Sequence, residues 1–200
     1  MIKIIFLIGK PASGKDTQAD LLVKKIKFKK IVASEELKKF FKNNRKKYLK
    51  IGKIRINLVK QQERMNKGKL VAYRLISFIL KNIILKNIKE KKSIVFSGSP
   101  RSLFEAKYYL KIIENIPNIK FYFIYIKISD QEAINRALKR AKIEKRVDDN
   151  LKVVKTRLKV FRKEIEPMIN YLKAKGKLIE VNGEGQPERI SKKILTIISG

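Results

Sequence analysis

Apolar positions follow two rhythms along the chain. Runs 3–8, 93–96, 120–128 and 177–181 are near-continuously apolar and β-rich, and a shorter run at 30–33 forms a fifth. Between them, apolar residues recur at three- and four-residue spacing. That spacing predicts helices over 15–27, 35–43, 53–66, 72–91, 102–114, 130–142, 149–175 and 187–199. Strands that lack polar alternation are buried on both faces, so strands alternating with helices predict an α/β fold with a five-stranded parallel sheet between helical layers. The stretch 34–73 is expected to hold helices and no strand, as a lobe over the sheet edge. Ligands of such folds bind at the carboxyl ends of the strands. Three chemistry-bearing turns fall there: one after 3–8, one after 93–96, and the region after Ile128.

Composition narrows the chemistry. Cysteine and histidine are absent, which removes disulfides, zinc–thiolate sites and Ser–His or Cys–His catalysis, and fits a reducing compartment. Lys and Arg number 50 against 18 Asp and Glu, a net charge of +32. Most of the excess is lysine spread along the chain beside many isoleucines and asparagines, so it reads as compositional bias rather than a dedicated patch. Nucleic acid is expected to bind only through non-specific charge. Tyr122, Phe123 and Tyr125 belong to a continuous apolar strand and are expected in the core. Residues 4–8 are too short for a signal-peptide core. Lys81 and Lys86 interrupt the apolar stretch 77–88, far short of a membrane span. A soluble cytoplasmic protein without membrane contact is expected.

The first turn reads Gly9-Lys10-Pro11-Ala12-Ser13-Gly14-Lys15-Asp16-Thr17. It has the spacing G-x-x-x-x-G-K between a strand and an amphipathic helix, a phosphate cradle of backbone N–H groups with a lysine for the terminal phosphates. The following slot, where other phosphate loops place a hydroxyl on magnesium, holds Asp16. The second turn, Ser97-Gly98-Ser99-Pro100-Arg101, projects an arginine suited to bidentate phosphate binding. A late cluster contains Arg136, Arg140, Arg146 and Arg157 with Asp148 and Asp149; Arg136 and Arg140 are four apart, on one helix face.

On these residues the whole chain resembles adenylate kinase and its relatives, the nucleoside monophosphate kinases. Gly9 to Gln18 looks like the family's triphosphate loop. Ala33-Ser34-Glu35-Glu36-Leu37 is similar to its Ser-Thr-Gly-Asp-Leu, which places Ser34 and Lys39 on the monophosphate-binding threonine and arginine. Gly68-Lys69-Leu70-Val71 matches its Gly-x-Leu-Val, and Ser97 to Arg101 its Asp-Gly-Phe-Pro-Arg. Arg136, Arg140, Arg146 and Arg157 fall on the arginine clamp, with Pro167 at the expected distance downstream. The resemblance implies a P-loop three-layer sandwich with a core of 1–33 and 74–200, a monophosphate-binding lobe of 34–73, and a short lid of 137–147 without a zinc insert.

The function implied is phosphoryl transfer from ATP to a nucleoside monophosphate, AMP first, with Mg2+ and as a monomer. Lys15, Arg101, Arg140, Arg146 and Arg157 would be catalytic. Gly9 to Thr17 with Arg136 and Arg140 would hold ATP. Ser34, Lys39, Lys69, Leu70, Val71, Gly98, Arg101, Glu105, Arg146 and Arg157 would hold the acceptor. Three positions depart from the family: Ser97 replaces an aspartate of the magnesium water shell, Lys39 an arginine, and Glu105 the glutamine that reads adenine. Asp16 is therefore the one candidate protein group for the metal, the rest being water-mediated. UMP, CMP or GMP as acceptor stays open, as does a catalytically weakened nucleotide- or nucleic-acid-binding protein.

Overall fold

The computed structural model describes residues 1–67, 69–144 and 150–200, with the backbone alone at 144. Five strands, β1 (Ile2–Gly9), β2 (Lys29–Val32), β5 (Ile94–Ser97), β6 (Ile119–Lys127) and β7 (Leu178–Asn182), pair in parallel in the order β2-β5-β1-β6-β7. The chain leaves β1 towards β2 on one side and later returns to β6 on the other. The strand order therefore reverses beside β1, the crevice where such sheets bind ligands.

The period-two alternation of β1 sorts its side chains between two cores. Ile4, Phe6 and Ile8 point into one layer with residues of α4 (Tyr73–Lys89), α5 (Leu103–Ile113) and α8 (Glu166–Ala174). Ile5 and Leu7 point into the other, against α1 (Lys15–Lys25) and α9 (Pro187–Ser199). Phe6 is the centre of the first layer, its ring stacked on Phe123, Phe96 and Tyr109 at 4.8, 5.0 and 5.4 Å. Phe123 and Tyr125 are buried, as their apolar strand predicted.

Three expectations are corrected. The stretch 34–73 is not strand-free: after α2 (Ala33–Asn43), an antiparallel hairpin joins β3 (Tyr48–Ile51) to β4 (Ile54–Asn57) through Gly52 at φ 60°. Leu49 pairs with buried Ile56 across it, a β-branched and aliphatic pattern that outweighs the helical spacing of residues 53–57. The helix expected over 53–66 accordingly starts late, as α3 (Leu58–Asn66), where the Asn57 side chain caps it by accepting from Lys60 N–H.

The helix expected over 149–175 is also divided. It runs as α7 (Leu151–Val160), a π turn at Phe161–Ile165, and α8. Pro167 in the first turn of α8 has no N–H to return to the preceding turn, which the wider π spacing accommodates while Phe161 stays buried. Among the described residues no helix is long and apolar enough to cross a membrane.

Candidate active site

β1 delivers the chain to the sheet's carboxyl edge at Gly9, and α1 begins at Lys15. Between them Ala12 (φ 57°) and Gly14 (φ 88°) adopt left-handed conformations that curl the loop back on itself. Close approach, rather than conformation, requires glycine at position 9. A Cβ there would lie 2.3 Å from Ser13 Oγ and 2.8 Å from the Ile126 carbonyl of the neighbouring strand. Lys15 Nζ reaches back across the cradle and donates to Gly9 O (3.0 Å), Lys10 O (2.7 Å) and Ser13 Oγ (3.3 Å). Burial lowers the Lys15 ammonium to a pKa of about 8; Asp16 opposes this, while Arg101 and Arg140 add to it.

The second turn meets the first because Leu7 and Ser97 are partners in the β1–β5 register. Ser97, buried, donates through its hydroxyl to Asp16 Oδ1 at 2.6 Å. Gly98 takes φ 80°, and Arg101 Nε donates to its carbonyl at 2.7 Å, so the guanidinium folds over the turn. Behind it lies Glu105, 4 % exposed, whose Oε2 accepts from Ser99 Oγ (3.0 Å) and from Arg101 N–H (3.1 Å). Burial raises the Glu105 carboxyl above its ordinary pKa, and these donors pull it back in part. Ser102 caps α5 by accepting from Glu105 N–H at 3.2 Å, and its hydroxyl lies 3.4 Å from Oε1 of the same carboxylate, to which it donates.

The third group stands on α6 (Asp130–Glu144) and α7. Arg136 and Arg140 lie one turn apart on α6, with Arg136 Nε against Glu132 at 2.5 Å. The charge of Arg140 bears on Lys15 and that of Arg157, from α7, on Arg101. The described residues thus bring together Lys15, Asp16, Ser97, Arg101, Arg140 and Arg157 at one sheet edge. Arg146, Val147, Asp148 and Asp149, with the expected lid's last positions 145–147, and Gly68 lie outside the described residues.

Residues of the 34–73 stretch occupy a separate place. Ser34 and Lys39 are exposed on α2, Lys39 pairing with Glu36 at 2.9 Å. Lys69 is exposed, and Leu70 and Val71 are half-buried. Helix α3 braces this segment: Arg64 Nε donates to Leu70 O at 3.1 Å, and Gln61 Oε1 accepts from Ala72 N–H at 2.7 Å.

Two further features of the same edge lie outside the motifs legible in the sequence. Lys10 pairs with Asp130 at 2.5 Å, and Asp130 also meets Arg162 of the π turn, tying the loop to α6. The loop after β7 lines a cavity of about 460 Å³ with Asn182, Glu184, Gly185, Gln186 and Arg189. Glu184 accepts from Ser129 N–H at 2.9 Å, and Arg136 and Lys10 help hold its carboxyl below the usual range after those hydrogen bonds. The signal was Gly183, Gly185 and Pro187 directly behind a strand's carboxyl end.

For a cation, the rim offers hard oxygen donors: the exposed Asp16 carboxylate and Thr17 hydroxyl, with the Ser97 hydroxyl beneath donating to Asp16. That set suits Mg2+, which keeps most of its waters and takes one carboxylate beside phosphate oxygens. Among the described residues no three acidic side chains cluster as a self-sufficient site.

A family sequence model described as adenylate kinase matches residues 7–177. The chain is 31% identical to an adenylate kinase of Azobacteroides pseudotrichonymphae over 96% of its length and 94% of the relative's. It is 29% identical to an adenylate kinase of Thermus thermophilus, over 96% and 94%. Human adenylate kinase isoenzyme 1 is 26% identical over 97% and 93%.

Proposed function

This chain belongs to the adenylate kinase family, and from that premise we propose that it transfers the terminal phosphoryl group of ATP to AMP, giving two ADP. The observation that carries the reading is the convergence of Lys15, Arg101, Arg140 and Arg157 on one phosphate-loop rim.

Lys15 leaves the loop carbonyls when phosphate oxygens take their place, and the ammonium is then restored to full charge by its anionic partner. Loop amides at Gly9 to Thr17 hold the donor phosphates at the α1 N-terminus. Arg101 holds the acceptor phosphate, Lys39 joining it as the 34–73 lobe closes. The Lys39–Glu36 surface pair gives way easily in exchange. An acceptor phosphate oxygen forms the new bond to the γ-phosphorus while the bond to the β,γ-bridging oxygen breaks, its electrons passing to ADP. Arg140, Arg146 and Arg157 offset the charge on the transferring group, and closure keeps water out.

The donor base lies against Arg136, towards the cavity behind β7. Ser34, Lys69, Leu70, Val71 and Gly98 frame the acceptor, and buried Glu105 braces the Arg101 turn from behind. Asp16 would face the water shell of a bound Mg2+, which would supply charge neutralisation to the triphosphate. The enzyme works as a cytoplasmic monomer.

The test is ADP formation from Mg-ATP with AMP, UMP, CMP or GMP, each alone. ADP from AMP at a rate well above the others is expected. Turnover with none of them would refute the kinase reading, and turnover with another but not AMP would move the acceptor.

A further inference from the structure

Phosphate-loop enzymes commonly share the metal between two elements. A loop hydroxyl in the slot after the lysine touches the ion, and a carboxylate at the end of a neighbouring strand backs it. Here the slot after Lys15 holds a carboxylate, Asp16, and the end of the neighbouring strand β5 holds a hydroxyl, Ser97. The same two chemical groups are present, with their places exchanged. They are also in direct contact, Ser97 Oγ donating to Asp16 Oδ1 at 2.6 Å.

We propose that Asp16 and Ser97 form a transposed magnesium-facing pair, in which the loop supplies the carboxylate and the strand supplies the hydroxyl that aims it. The geometry assigns unequal roles. Asp16 is exposed on the rim, where the phosphates of a bound nucleotide lie, whereas Ser97 is 2 % exposed beneath it. A distance of 2.6 Å lies within the range of a hydroxyl donating to a charged oxygen. Ser97 is thus a positioning residue. Its proton holds Oδ1, which leaves Oδ2 to accept from water of the cation's shell. An aspartate in the first turn of a helix is also favoured by the helix dipole alone. That role needs neither Ser97 nor a metal, which makes the two separable.

The inference rests on the rim being the triphosphate site, and one experiment tests both. Binding of the ATP analogue with a β,γ-imido bridge is measured by calorimetry with and without Mn2+, and bound Mn2+ is counted by its paramagnetic resonance signal. Asp16→Ser is expected to weaken Mn2+ in the ternary complex by about 10–100-fold, as loss of an outer-shell partner does, while metal-free analogue binding is kept. Asp16→Ser/Ser97→Asp, which restores the common order, is expected to recover most of that loss. Ser97→Ala, which keeps the carboxylate and removes its donor, is expected to weaken Mn2+ by a smaller factor.

Unchanged Mn2+ affinity in Asp16→Ser would overturn the pair, as would a double exchange no better than the single one. Equal loss of analogue binding with and without metal would assign Asp16 to loop construction instead. Should the wild-type protein fail to bind the analogue under either condition, the nucleotide reading falls with the pair. If the pair alone is wrong, wild-type binding stays intact.

Discussion

Gly9→Ala is the sharpest single perturbation of the phosphate cradle, because its effect follows from two distances. The new methyl would meet Ser13 Oγ at 2.3 Å and the Ile126 carbonyl at 2.8 Å. The serine can rotate away, at the loss of one of the three contacts holding Lys15. The carbonyl cannot, since Gly9 and Ile126 are partners in the β1–β6 ladder and retreat would open the sheet at its carboxyl end. Overpacking of this kind costs about 1–3 kcal/mol, and the backbone contact places Gly9→Ala at about 2. ATP affinity is expected to fall by about tenfold or more, the equivalent of 1.4 kcal/mol or above in binding.

Adding Ser13→Ala removes the 2.3 Å contact but not the 2.8 Å one, so it should restore only part of the stability. The assay is urea unfolding followed by far-UV circular dichroism, with calorimetric ATP titration alongside. A Gly9→Ala protein within about 0.5 kcal/mol of wild type, binding ATP equally well, would refute the steric account. Full recovery in the double variant would show that the strand carbonyl does not matter.

Gly14→Ala meets no atom within 4 Å but must hold φ 88°, so unfolding should show a loss of about 1–2 kcal/mol, and less for Gly14→Asn. With the Lys15 pKa depressed from 10.5 to about 8, the unfolded chain binds the extra proton between those values. Stability should therefore rise as pH increases from about 8 to 10.5, and Lys15→Met should flatten that slope in urea titrations; a slope unchanged in the variant contradicts it. The raised pKa of Glu105 has the opposite sign: the folded state holds the proton more tightly, so stability falls as pH rises above 4.5 through the folded value. Glu105→Gln should remove that fall and melt higher at pH 8, as read by thermal denaturation. Arg101→Lys keeps the charge but loses the planar fork, and kcat for ADP formation should drop about 10²–10³-fold with the fold intact.

Much of the fold was legible because its cause is local. Residues Ile4 to Ile8 are uninterrupted by charge, which only a strand covered on both faces tolerates, and the structure buries all of them. The loop was legible for a similar reason: glycines and lysine at fixed offsets serve one short stretch of backbone. The β3–β4 hairpin was hidden because residues 53–57 also fit a helical spacing, and only the pairing of Leu49 with Ile56 decides between them. The division of the last long helix was hidden too, since a π turn preserves helical periodicity on either side. Glu105 was read as a base-facing group; its position beside the Ser102 cap, bracing the Arg101 turn, became visible only when both ends of that turn were placed.

Sequence alone determined the five strands, the phosphate loop and the arginines that accompany it, because each depends on residues near one another in the chain. Tertiary structure decided which of them meet. Asp16 and Ser97 are 81 residues apart, and nothing local to either predicts a 2.6 Å hydrogen bond. The parallel register sets Leu7 beside Ser97, so β5 ends just short of Gly9, where β1 ends. The turn out of β1 then carries Asp16 over the end of β5. Contact between distant residues is set by backbone pairing across the sheet, a property of the assembled strands and of no single segment.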